Sequence, residues 1–82
     1  MTVNHLKRIA QFLADYSARL IGSGVHTSRT VRNTKRIGTA LGCETHLNLS
    51  MKTMTLTVRD EETGDIITEV IDIPTLPIKF VL

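Results

Sequence analysis

The apolar residues of this chain change their period once, near Gly42, and that switch restricts the fold more than any single motif does. Before it, Leu6, Ile9, Leu13, Tyr16 and Leu20 recur at alternating steps of three and four, with Ala10 and Phe12 widening the stripe. The spacing predicts an amphipathic helix from about Asn4, its N-cap, to Ile21, with Gly22 as the stop. After a short "GSGVH" elbow, Thr27 or Ser28 caps a second helix that carries Val31, Thr34, Ile37 and Leu41 on one face, and Gly42 ends it.

From Thr45 the period is two. Leu47, Leu49 and Met51 alternate with polar residues, then Met54, Leu56 and Val58 do the same, which reads as two strands. A turn at Lys52-Thr53 pairs Met51 with Met54, Leu49 with Leu56 and Leu47 with Val58, so that all six apolar side chains share a face. Lys-Thr suits a type I′ turn poorly, and a wider loop is the alternative. "DEETGD" is a polar turn in which Gly64 supplies the awkward dihedral, and a third strand runs from Ile66 to Ile73. Its register stays open: Glu69 interrupts the parity of Ile67, Ile71 and Ile73, so both faces are partly covered or a bulge intervenes. Pro74 and Pro77 make "PTLPIKFVL" an edge or exit segment. The expected fold is α+β, a two-helix hairpin packed on a three-stranded antiparallel sheet in the order ααβββ.

Size and composition narrow the function. A chain of 82 residues is one domain with a thin core, burying roughly 60–65% of its unfolded surface. With one Tyr, two Phe and no Trp the packing is aliphatic, which argues against stacking on bases or sugars as a main activity. The charge is divided along the chain. Met1 to Cys43 holds seven cations against one acid, a net of +6, and Glu44 to Leu82 holds three cations against seven acids, a net of −4. This implies either a basic binding face or two halves that attract each other. The single cysteine, Cys43, forms no internal disulfide, and a reducing cytoplasmic setting is the default. Neither a signal-peptide core nor a stretch approaching the roughly 18–20 apolar residues of a membrane span is present.

The "GSG" at residues 22–24 does not meet a phosphate-loop fingerprint, which needs a preceding strand and further glycines or a Gly-Lys-Ser/Thr. It is better read as an elbow between helices. A second helix bearing Arg29, Arg32, Lys35 and Arg36 after such an elbow resembles a helix-turn-helix, with Arg29, Arg32 and Arg36 along one face. The strands that follow depart from the usual three-helix core, and such a charge stripe is more often a solvated face. His5, His26, Cys43 and His46 are too scattered for a zinc set and read as three surface histidines and a half-buried thiol. Asp60, Glu61, Glu62 and Asp65 crowd one turn without the spacing of a calcium loop.

Taken together, "GSGVHTSRTVRNTKRIGTALG", the alternating strand pair and "DEETGD" resemble the amino-terminal portion of the threonine/serine exporter family of bacterial inner-membrane proteins. The matching residues are Ser23, Gly24, Thr27, Arg29, Arg36, Ile37, Ala40, Leu41 and Gly42, and "IPTLPIKFVL" is similar to the segment that leads toward the first membrane helix. Two positions depart: Val31 stands where many members have an acid, and Gly38 where Ala is usual. The resemblance implies a non-enzymatic regulatory or assembly domain on the cytoplasmic face of the inner membrane, the front fragment of a longer transporter. Its implied partners are its own transmembrane domain and a small amino acid, with no cofactor or metal. Thin core and open sheet edges add the expectation of a homo-oligomer. The candidate ligand-binding residues are Thr27, Arg29, Arg32 and Arg36, because backbone donors near the helix start and a guanidinium could together hold a carboxylate. Gly22, Gly24 and Gly42 are the structural positions of the motif. The rival expectation is a small helix-turn-helix-like module that binds nucleic acid.

Overall fold

Two helices and three antiparallel strands form in the order the periodicity predicts. The computed structural model describes residues 2–50 and 53–72. Helix α1 is Val3–Gly22, α2 is Thr27–Ala40, and strands β1, β2 and β3 are Cys43–Leu49, Thr53–Asp60 and Ile66–Asp72. The sheet has β2 in the middle, with α1 resting on β2 and β3, α2 resting on β1, and the helices packed on each other. Among the described residues no helix is long and apolar enough to cross a membrane.

The helix ends differ in detail from the sequence reading. Thr2, not Asn4, caps α1, because its hydroxyl reaches the N–H of His5 at 3.1 Å, the third helical position. At the other end Gly22 is still helical, and the stop is Gly24 at φ +89°. There the N–H of Gly24 donates to Ile21 and that of Val25 to Leu20, both at 3.0 Å, the paired bonds of a Schellman motif. Neither Thr27 nor Ser28 caps α2. His26 holds the cap position without a side-chain bond, and the hydroxyl of Thr30 donates to its carbonyl at 3.2 Å. Gly42 at φ +80° ends the second helix as expected and turns the chain directly into β1.

The faces also shift. On α1 the buried residues are Leu6, Ile9, Ala10, Leu13, Ala14 and Ser17, while Phe12 is 54% exposed and stacks on Tyr16 instead of widening the core stripe. On α2 the buried residues are Thr30, Thr34 and Gly38, four apart, and Leu41 is exposed. The expected aliphatic face of Val31 and Ile37 is only half-buried. Close approach is the reason. A Cβ at Gly38 would sit 2.5 Å from Cγ2 of Thr45, so α2 lies on β1 through small residues, with its larger ones displaced to the flanks.

In the sheet, Leu47 pairs with Leu56, Leu49 with Met54 and Thr45 with Val58. This is two residues off the Lys52-Thr53 register and keeps the same core face. Ser50 donates to the carbonyl of Thr53 at 2.7 Å, while Met51 and Lys52 lie outside the described residues. Cross-strand charge favours the observed register. The expected register sets Glu44 opposite Glu61, whereas the observed one sets it opposite Arg59, whose guanidinium donates to it at 3.2 Å. Strand β3 pairs with β2 without a bulge. Ile67, Glu69 and Ile71 face the helices half-buried, and Ile66 and Val70 face away. The expected Ile73 and the exit segment fall outside the described residues.

The core lies between α1 and β2, around Leu6, Leu13, Leu56 and Val58, each exposed by 1% or less. Full burial of each such side chain contributes about 1.5–3 kcal/mol. The α2–β1 seam gives a sharper test, because small residues there set distance and not area. Gly38→Ala gains about 1 kcal/mol of helix propensity. Overpacking against buried Thr45 costs about 1–3 kcal/mol, so the variant is expected to be less stable in urea. Thr45→Ser removes the obstructing methyl and should recover most of that loss in the double variant, a coupling that two independent sites would not show.

Candidate functional site

The elbow and α2 carry the sequence candidates, and geometry divides them. Arg29 and Arg32 border a solvent-facing hollow of about 480 Å³ together with Gly24, Val25, His26 and Ser28. Thr27 and Arg36 do not line it, although both are exposed on the same helix. Among the described residues the ion pairs are Arg19–Asp15 and Arg59–Glu44, with His46 also 3.5 Å from Glu44. None of them involves Arg29, Arg32, Lys35 or Arg36. The two oppositely charged halves therefore do not neutralise each other through this helix, and its cations face solvent.

The charges around α2 run against its macrodipole. Its first turn contains Arg29 and no acid, and its last turn contains no cation. At its far end, about 21 Å away for a helix of 14 residues, the N–H of Glu61 donates to the carbonyl of Gly42 at 3.3 Å. This bond ties the acidic β2–β3 turn to the hook that ends α2. Helices are ordinarily stabilised by acids at the start and cations at the end, so both ends of α2 carry the less favourable sign.

That turn is organised by Asp60, which is 2% exposed and caps the turn as its first residue. Its carboxylate accepts the Glu62 N–H at 2.9 Å, its carbonyl accepts the Gly64 N–H at 2.8 Å, and its own N–H donates to Asp65 at 2.9 Å. The Glu62 N–H holds the Asp60 pKa below the ordinary carboxylate value, with Thr63 adding to the effect against an opposing push from burial. Opposite it in the ladder, Cys43 is fully buried, not half-buried as its spacing suggested. Burial first, then the neighbouring Asp60 and Glu61, raises its thiol pKa and keeps it protonated. The three histidines are exposed, and among the described residues no three His, Cys, Asp or Glu side chains converge as a metal set.

A second surface is the polar sheet face that the strand alternation already implies. The sheet face turned away from α1 bears four cross-strand rows: Glu44, Arg59, Ile66; His46, Thr57, Thr68; Asn48, Thr55, Val70; and Thr53, Asp72. Val31 and Lys35 of α2 stand at the β1 edge of this face, and with Leu47 from the core side and His46, Asn48, Thr55 and Thr57 they border a hollow of about 270 Å³. The alternating threonines of "TMTLTVR" are its signal in the sequence, but only the position of α2 adds the hollow at its edge. A scan against models of protein families, a search of curated proteins and a search of solved structures each return no match.

Two outcomes follow from Asp60 and Cys43. A folded-state pKa below the ordinary carboxylate value means that Asp60 contributes stability that is complete above about pH 4 and is lost as pH falls through the folded value. Asp60→Asn keeps an acceptor for the Glu62 N–H and removes the titration. Urea midpoints for the variant should therefore be lower than wild type near neutral pH and should fall less steeply below about pH 4. Cys43 should react with a thiol reagent only on unfolding, so that its labelling rate tracks denaturant; rapid labelling in buffer would contradict its burial.

Proposed function

We propose that this chain is an extramembrane regulatory or assembly domain of a threonine/serine exporter-like inner-membrane transporter, acting by contact and not by chemistry. The observation that carries the reading is where the matching residues fall. Ser23, Gly24, Thr27, Arg29, Arg36, Ile37, Ala40, Leu41 and Gly42 occupy one continuous unit: the elbow after α1, then α2, then the hook into β1. Gly24 and Gly42 supply the positive φ angles of its two ends, and Ile37 packs against the core. Arg29 and Arg36 remain in solvent, where they form the cationic face with Arg32 and Lys35. Such a face suits a domain held beside the anionic cytoplasmic leaflet, where each nearby Lys or Arg contributes about 1 kcal/mol of attraction. Gly38, one of the two departures from the family pattern, has a local cause in Thr45 and does not disturb the unit.

The rival is a nucleic-acid module. The unpaired cations of α2 favour it, and the packing of α2 on a strand instead of within a three-helix core counts against it.

Cells producing the gene's complete product provide the test, with Arg29→Ala/Arg32→Ala/Arg36→Ala as the comparison. The product should appear in the membrane fraction and export labelled threonine, and the triple variant should export several-fold less at equal membrane abundance. A product absent from membranes that instead binds duplex DNA with steep salt dependence would replace the exporter reading by its rival.

A further inference from the structure

We infer that the outer edge of β3 is the docking site of the chain's own residues 78–82, which add to it as a fourth antiparallel strand with Lys79 opposite Asp72. The inference goes beyond the exporter reading and stands without it. Among the described residues β3 pairs with β2 alone. The N–H of Asp60 donates to the carbonyl of Asp65 at 2.9 Å, and bonded pairs alternate from there along the ladder. Ile67, Glu69 and Ile71 therefore bond inward to β2, while the N–H and C=O groups of Thr68, Val70 and Asp72 point outward. Such an edge is a template for a further strand. Val70 is 64% exposed there, and Ile67 and Ile71 pack on the core while staying only half-buried.

Position along the chain selects the occupant. Residues 73–82 follow β3 directly, and a four-residue connection at 74–77 suffices to return the chain along the same edge. Pro74 then takes the second place of a turn over 73–76, where its fixed φ is favoured, and neither Pro74 nor Pro77 has to supply a ladder N–H. "IKFVL" alternates with the strand period and contains no Pro or Gly. The resulting register sets Ile73 opposite Ile78, Asp72 opposite Lys79, Ile71 opposite Phe80 and Val70 opposite Val81. Partners across a ladder share a face. Ile78 and Phe80 thus extend the core layer beside Ile71, Lys79 meets the carboxylate of Asp72, and Val81 covers Val70.

Other registers, edges and occupants fit less well. A slip of two residues toward the turn puts Pro77, which has no N–H, in the bonded place opposite Asp72. A slip of one residue in either direction turns Lys79 to the core side. The opposite edge of the sheet offers less, because α2 rests on β1. Thr45 of β1, whose backbone groups point outward by the same alternation, is only 3% exposed. A strand from another molecule competes at the β3 edge with one tethered a few residues away, and a short tether gives an effective concentration in the millimolar range.

Amide hydrogen exchange of the 82-residue chain, read residue by residue by NMR, tests this. The amides of Val70 and Asp72 should exchange about tenfold or more slower than that of Thr68, which also points outward but whose opposite place lies beyond Leu82. Lys79 and Val81 should be protected, and Ile78 and Phe80, whose N–H groups face away from β3, should not. The α-protons of Ile71 and Phe80, a non-hydrogen-bonded pair, should give a cross-peak for close approach. Val81→Pro removes one ladder donor and should bring Val70 to the rate of Thr68 while the amides of β2 keep theirs. Lys79→Glu should speed exchange at Val70 and Asp72 several-fold, and the exchanged pair Asp72→Lys/Lys79→Asp should restore most of the protection. Equal rates at Thr68, Val70 and Asp72 in the unaltered chain overturn the inference, as does indifference to Val81→Pro. Protection that fades on dilution from millimolar to micromolar concentration also overturns it, because the added strand then belongs to another molecule.

Discussion

The structure depends on how closely α2 approaches β1. Gly38 lets the helix backbone meet the side chain of Thr45, and Thr30 and Thr34 continue the buried stripe of α2 toward the elbow. A helix seated that near a strand cannot also bury large aliphatic side chains between them. Val31 and Ile37 are consequently displaced to its flanks, and Leu41 out to solvent. The displacement shapes the exposed surfaces, because Val31 and Lys35 end up beside β1 and the arginines end up in water.

Charge is distributed to the same effect. The cations of α2 lie along its exposed side and toward its start, and the acids gather in a turn bonded to its end. Neither set is satisfied by the other, and both oppose the helix dipole. The sheet face contributes a third surface, of threonines, the Glu44–Arg59 pair, Asp72 and two exposed aliphatic residues, distinct from both poles.

The strand register shows how a local pattern and a long-range pairing divide the work. Alternation in "THLNL" and "TMTLTVR" places Leu47, Leu49, Met54, Leu56 and Val58 on one face in any register that preserves parity. It does not choose between registers two residues apart. The observed register is accompanied by Glu44 meeting Arg59 and by the Gly42–Glu61 bond that joins the end of α2 to the turn, contacts between residues distant in sequence. Glu69 is similar: its interruption of the apolar parity left open two partly covered faces or a bulge, and the strand is regular, with one face exposed and Glu69 half-buried on the other.

The sequence by itself determined the order of elements, the fold class and the core face of β2, because hydrophobic period and glycine stops are properties of neighbouring residues. It also named the exposed arginines of α2. Tertiary structure decided which face of α2 is buried, that only Arg29 and Arg32 of the four candidate binding residues share a hollow, and that Cys43 is fully enclosed. These depend on the distance and angle between layers. One methyl group on Thr45, opposite a position that only glycine fits, sets that distance, and no spacing along the chain records it.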